Sequence, residues 1–390
     1  MDVDVFFMAT MAAQLVVMAA LFLLGRRHAS GGRGFENRPA VTPKTALIIP
    51  LTGDTPDMRN YLPTLLRQDF GDFEAWFATS GEDDPAVGLV RELQAADPRV
   101  RLVFSGYATR CSQKNHAILA ALDQVSDDVE IFAFCDSTHR AERNFLGDLV
   151  APIARGDAEL SGGFHRVIPL DGKTGTIGML ITCMSLHLMQ PIKWITQPWG
   201  GAMAMSRQAF ESHSIRDLWS ENIVDDFSLG PYLHAQKPKV VTWPVASACL
   251  ETPIRGRSVA AWDDWLTRQL LYLKFCIPPG WIGAILAVWV LTAPQVLALL
   301  SLAGYGLGLV SGSMALFSAT YLAGFVGLGF AFRTLSPRPV HSLAWLRGYL
   351  ATFLMLGWCF GRTFFTFDMR WRGITYKVGW GGKVKEVIRG

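Results

Sequence analysis

Two kinds of hydrophobic pattern divide the chain. Residues 5–24, VFFMATMAAQLVVMAALFLL, hold twenty positions without a charge, and Arg26, Arg27 and His28 follow at once. Twenty helical residues span about 30 Å, the thickness of a bilayer's hydrocarbon core. A cleaved leader would carry its positive charge ahead of such a run, whereas here Asp2 and Asp4 precede it. Residues 1–28 therefore read as an anchor with its N-terminus outside and its basic end in the cytosol. Residues 277–303 and 304–332 also lack charge, and 348–367 is broken only by Arg362. These predict membrane helices within 277–368 rather than a buried helical core. The loop 333–347 and the tail 369–390 are rich in Arg and Lys, so both look cytosolic. One crossing by 348–367 would put the tail outside. Either that segment is re-entrant or a crossing upstream is miscounted.

Between these runs the pattern changes to short apolar stretches ended by turns. TALIIPLTGD (45–54), FEAWFATS (73–80), RVRLVFSG (99–106) and EIFAFCD (130–136) read as buried strands. Helical spacing fills the gaps: Leu62, Leu65 and Leu66, then the helix opened by GEDDPAVG, then SQKNHAILAALDQV capped by Ser112. Alternation of this kind predicts an α/β fold, a mostly parallel sheet with helices on both faces, plus transmembrane helices at both ends. The expected order is anchor 1–28, Gly- and Pro-rich linker 29–43, cytosolic domain 44–258, interfacial amphipathic segment 259–276, membrane helices 277–368 and basic tail 369–390.

Composition adds little. Half the residues are hydrophobic, 18% are charged, and the net charge is +3 with no basic block, which gives no sign of a nucleic-acid partner. The six cysteines have neither CxxC nor zinc spacing, so they read as reduced and structural.

The chemistry concentrates where apolar runs meet carboxylates. Ligands on open α/β sheets bind outside the carboxyl ends of the strands. Asp136 and the acidic run Glu82, Asp83, Asp84 both fall there. A carboxylate at such a mouth needs a cation or donors to offset it, and a divalent ion bridging a pyrophosphate would serve. For Asp136 alone a helix cap is the other reading. ENIVDDFS sets Asp225 beside Asp226, and adjacent like charges raise each other's proton affinity, which suits a general base. A solvated acidic turn is the plain alternative. In QPWGGAMAM, Gly200 and Gly201 permit close approach to a ligand or simply make a turn, and Trp199 offers a flat face.

In order, IIPLTG, EDDPA, SQKN, FCDS, the Gly-Gly segment, VDDF and the amphipathic AAWDDWLTRQLLYLKF resemble the membrane-bound inverting glycosyltransferases of family 2, with a GT-A fold. Among them the chain looks most similar to ceramide glucosyltransferases and their bacterial relatives, and WRGITYKV (371–378) resembles the end of the bacterial enzymes. The resemblance implies that Thr52, Glu82, Asp83, Asp84, Lys114, Asp136, Gly200, Gly201 and Gln269 bind a nucleotide sugar. It implies that Asp226, or else Asp225, is the catalytic base. Asp136 would hold Mg²⁺ or Mn²⁺, with His139 either reaching that metal or merely solvated. Trp199, Trp262, Trp265 and Tyr272 are acceptor-site candidates. The family's QxxRW is altered here to RQLLYL (268–273), so Tyr272 and Leu273 stand where Arg and Trp are expected. Arg268 or Lys274 is the candidate substitute for the lost arginine. The implied reaction moves a hexose from a UDP-sugar to a membrane lipid such as ceramide, with the catalytic domain facing the cytosol (at the inner membrane if bacterial). A processive polysaccharide synthase and a non-catalytic nucleotide- or lipid-binding scaffold are the alternatives.

Overall fold

The computed structural model describes residues 3–31, 42–190, 192, 198–241 and 248–389. The linker expected at 29–43 lies largely outside them.

The strands are β1 (Thr45–Pro50), β2 (Phe73–Thr79), β3 (Val100–Phe104), β4 (Ile131–Cys135), β5 (Leu160–Gly162), β6 (Phe164–Pro169), β7 (Ala202–Ser206), β8 (Val240–Val241), β9 (Cys249–Ile254), β10 (Asp368–Trp371), β11 (Ile374–Val378) and β12 (Val384–Arg389). The helices are α1 (Val3–Gly31), α2 (Pro56–Leu66), α3 (Ala86–Ala96), α4 (Gln113–Leu122), α5 (Phe145–Ala154), α6 (Thr174–Met189), α7 (Arg207–Ser212), α8 (Ile215–Glu221), α9 (Leu229–Gln236), α10 (Val259–Cys276), α11 (Pro278–Gly306), α12 (Gly312–Arg333) and α13 (Ser342–Phe364).

The main sheet has the order β3-β2-β1-β4-β7-β5-β8. The four sequence-predicted strands form its parallel half, and β7 runs antiparallel to both β4 and β5. Both faces are covered, which explains why the strands read as apolar runs rather than alternating ones. Leu47, Ile49, Ala133 and Cys135 point into one core with α2, α3 and α5. Ala46, Ile48, Phe132 and Phe134 point into the other with α4, α7, α8 and α9. The fold is thus α/β with a mostly parallel central sheet, as the alternation predicts.

Four helices among the described residues are long and apolar enough to cross a membrane: Asp4–Arg27 within α1, then α11, α12 and α13. Against these four pack α6 and α10. Trp262 of α10 and Ile177 of α6 pack in one core with Met11, Tyr321, Phe325 and Trp345. The least apolar of the four is α13, and elements outside the four touch both its ends. Near its start Arg347 donates to Gly172 O (3.1 Å), in the β6–α6 turn. At its end Lys274 of α10 donates to Thr363 O (2.6 Å).

The basic tail is folded. Strands β10–β12 form an antiparallel sheet whose Met369, Tyr376 and Val378 share a core with Ile223, Val224, Leu271, Tyr272 and Phe275. Charge dominated the reading of this segment and hid its alternation: Met369, Trp371, Ile374, Tyr376 and Val378 are spaced as strands around an Arg-Gly turn.

Candidate functional site

The site assembles at the carboxyl edge of β1 and β4. Because β7 is antiparallel to β4, with Cys135 opposite Ala202, its beginning lies beside the end of β4. That register sets Gly200–Gly201 against Asp136, whose N–H donates to Gly201 O (3.1 Å). On the adjoining face Ser112 caps α4 by accepting from Asn115 N, as its position predicts. Asn115 Nδ2 then donates to Trp219 O (3.2 Å) and Asn222 O (3.0 Å), tying α4 to the segment that leads into Asp225. Trp219, fully buried, donates from its indole to Asp225 O (2.9 Å).

At the centre stands Lys114. Its Nζ contacts Asp136 Oδ1 (2.8 Å), Asp225 Oδ2 (2.9 Å) and Gly200 O (3.2 Å). Burial alone would lower its proton affinity, but Asp136, Asp225 and Asp226 outweigh it and hold the ammonium firmly charged. In the same way burial opposes ionisation of Asp136, while Lys114 and His139 keep it well below the usual carboxylate range.

Asp226 differs. Burial and the neighbouring Asp225 push it up to about 7, against the opposing pull of Lys114. It accepts from Gly200 N (3.0 Å) and Phe227 N (2.7 Å), which fix its direction. Asp225 is 1% exposed and bonded to Lys114, whereas Asp226 is only partly buried. Of the two candidates for base, Asp226 is the accessible one, and its proton affinity lies near neutrality.

The two glycines are required, but by the protein's own side chains. A Cβ on Gly200 would stand 2.1 Å from Asp225 Oδ2, and one on Gly201 would stand 2.1 Å from the Trp199 ring. Trp199 stacks on His165 at 4.6 Å and meets His139 edge-on at 5.4 Å, so one of its faces is already covered. His139 is buried, which corrects the solvated reading. Its Nδ1 bonds to Thr252 Oγ1 (2.9 Å), and its Nε2 lies 3.8 Å from Asp136 Oδ2. His165 shares the Thr252 hydroxyl (3.2 Å), and burial together with His139 holds it down to about 3, so it is neutral.

Within the acidic run, Asp84 is the buried member. It accepts from Thr52 Oγ1 (2.6 Å), Gly53 N (2.8 Å) and Ala86 N (2.9 Å), bracing the loop after β1 against the start of α3. Glu82 and Asp83 are exposed. Gln269 and Arg268 are half-buried on α10. Tyr272 is buried against Phe227, close enough to Asp226 and Lys114 to feel their charges. Trp262 and Trp265 are not brought to this cluster. Trp262 is 0% exposed, packed on Gly178 and bonded to Thr182, and Trp265 packs in the same membrane-side core. In the structure both side chains serve packing. Lys274 turns away to the end of α13.

Sequence reasoning missed Arg372. It sits at the β10–β11 turn with φ +49°, followed by Gly373 at +77°. Its Nη1 donates to Thr52 O (3.2 Å), above the mouth of β1.

No set of three or more His, Cys, Asp or Glu that could hold a metal occurs among the described residues. The donors that remain are Asp136 Oδ2 and His139 Nε2, which face one another. One carboxylate with one imidazole fits an ion shared with substrate phosphates, not an all-protein cage.

A search of curated proteins finds no match. Among solved structures, the mannosyltransferase PcManGT from Pyrobaculum calidifontis, in complex with GDP-Man and Mn²⁺, superposes with TM-score 0.55 at 14% identity. The match covers 92% of this chain and 99% of that one, a likeness of fold. The sequence resemblance pointed to family 2, but the family model that matches, over residues 5–384, is glycosyl transferase family 21, and the chain belongs to that family.

Proposed function

We propose that this glycosyltransferase moves a hexosyl unit from a nucleoside diphosphate sugar to the hydroxyl of a membrane lipid, with inversion at the anomeric carbon and on a GT-A scaffold. The observation that carries the reading is the convergence of Lys114, Asp136, Asp225 and Asp226 at one sheet edge, with Asp226 partly open and pushed up to about 7. The fold neighbour's complex with GDP-Man and Mn²⁺ supports a nucleotide-sugar donor and a divalent ion.

Asp226 accepts the proton of the acceptor hydroxyl as its oxygen bonds to the anomeric carbon. The bond from that carbon to the diphosphate oxygen breaks on the opposite face, and its electron pair leaves with the diphosphate. Lys114 keeps Asp136 ionised and holds Asp225 in place. Asp136 and His139 would hold Mg²⁺ or Mn²⁺, which supplies charge neutralisation to the leaving diphosphate when bound. A lipid acceptor is supported by α6 and α10, which pack against the long apolar helices. On this reading α13 turns back without crossing, so α1, α11 and α12 leave catalytic domain and tail on one side, which the positive-inside rule makes the cytosol.

The test is release of UDP or GDP from UDP-glucose and GDP-mannose by purified protein with Mn²⁺, with and without ceramide or diacylglycerol. Lipid-dependent release and a β-linked glycolipid are expected. No release with any donor and lipid would overturn the reading, and a long polymer would replace it with a synthase.

A further inference from the structure

The altered RQLLYL motif leaves the leaving group without its expected arginine, and the folded tail brings another to the same mouth. Four observations meet there. First, the tail sheet is built onto the parts that carry the site. Ile223 N donates to Gly382 O (2.9 Å), Lys383 pairs with Glu221 (2.8 Å), Tyr376 OH accepts from Gln113 N (3.2 Å), and Arg389 donates to Ala108 O (2.7 Å). These contacts grip the segment before Asp225 and the start of the helix bearing Lys114.

Second, the turn Trp371-Arg372-Gly373-Ile374 has positive φ at both central residues. That geometry favours Asn-Gly or Gly-Gly, and a long side chain at its first central position is unfavourable. Only three non-glycine residues among those described have positive φ, and Arg372 is the one beside the site. Strain kept at such a place points to use.

Third, a guanidinium has five N–H donors, and Arg372 spends one on an exposed turn's carbonyl, Thr52 O. Fourth, it lies close enough to Asp136, Asp84 and Arg268 to feel their charges, yet neither Arg372 nor Arg268 forms an ion pair among the described residues. A guanidinium anchored at this mouth by Thr52 O, with no ion-pair partner among the described residues, has donors left for an anion.

Resting on the glycosyl-transfer reading above, we propose that Arg372, carried in by the C-terminal hairpin, binds the diphosphate of the donor in the role vacated at Tyr272. Arg268, half-buried on α10, adds positive charge on the same side. The tail is then a structural part of the donor site.

The deciding variant is Arg372→Asn, which makes the turn Asn-Gly. It relieves the backbone and removes the guanidinium, so stability and binding should move in opposite directions. Calorimetry on the full-length protein with Mn²⁺ would compare UDP and GDP with UMP and GMP. The expected result is an unchanged or higher Tm, at least a tenfold weaker diphosphate, and a monophosphate within twofold of wild type. Arg372→Lys should fall between, and Arg370→Ala, on the exposed side of β10, should match wild type. Unaltered diphosphate binding in Arg372→Asn, an equal loss for both phosphate classes, or a lowered Tm would each overturn the assignment. Wild-type protein that binds neither UDP nor GDP more tightly than the monophosphates would sink the glycosyl-transfer reading with it. Active wild type beside an equally active variant would sink this assignment alone.

Discussion

Two lysines stand in opposite surroundings. Half-buried Lys114 lies among carboxylates at the sheet edge, paired with Asp136 and Asp225 with Asp226 close by. Lys274, 5% exposed, meets no carboxylate among the described residues. It donates to Thr363 O and Thr366 O at the end of α13, with the rings of Phe367 at 4.6 Å and Trp281 at 5.5 Å. Burial lowers the proton affinity of Lys274, while at Lys114 the carboxylates overcome the same burial and raise it. The first is a charge set among charges, which positions groups for reaction. The second is a cation on the carbonyl end of a helix, which clasps α10 to α13 and so aims the chain back toward the site.

The comparison breaks most sharply at the carboxylates. Asp226→Asn keeps the shape and both backbone donors but removes the base, so turnover should fall by about 10²–10⁴-fold with nucleotide binding retained. A variant with wild-type kcat would remove Asp226 from the base role. Next comes Lys114→Met, which strands the buried Asp225 and the half-buried Asp136. Removing the partner of a fully buried charge costs roughly 3–5 kcal/mol, an upper bound here, and the thermal midpoint should drop along with donor binding. An unchanged midpoint would mean that the lysine's charge is not offsetting those carboxylates.

Lys274→Met should behave differently. Its cage is carbonyl and aromatic, so the loss is a few hydrogen bonds and one cation–π contact, each worth on the order of 1 kcal/mol. Stability should decline modestly, with a several-fold loss of donor affinity because the tail is less well held. A loss as complete as that of Lys114→Met would erase the distinction between the two lysines. The smallest effect is the pH profile. Asp226 must be ionised to accept a proton, so kcat/KM should rise with pH and level off above about 7. The rising limb should vanish in Asp226→Asn, and a limb retained there would belong to another group.

Much of this was readable before folding. The strands over 45–54, 73–80, 99–106 and 130–136 appear because buried parallel strands are apolar on both faces, a local signal. Asp136, Lys114 and the Asp225–Asp226 pair stood out because charge next to such runs is costly unless it is used. Asp84 could not be told from Glu82 and Asp83, since its burial depends on Thr52 and Gly53 thirty residues earlier. Trp262 and Trp265 looked like acceptor contacts because the helix 259–276 is amphipathic, but which neighbour covers a helix face is not written in that helix. The tail misled for a similar reason, its charge count outweighing its alternation.

What the sequence determined by itself was the inventory: the α/β alternation, the apolar helices at each end and the identity of the reactive groups. These follow from periodicity and from the cost of burying charge, both of which act within a few residues. Only the tertiary structure decided which carboxylate stays open, which lysine serves which charge, and that the last twenty residues return to the mouth of the site. Those outcomes rest on contacts between residues up to 320 positions apart, Thr52 with Arg372, and no local pattern encodes such a meeting.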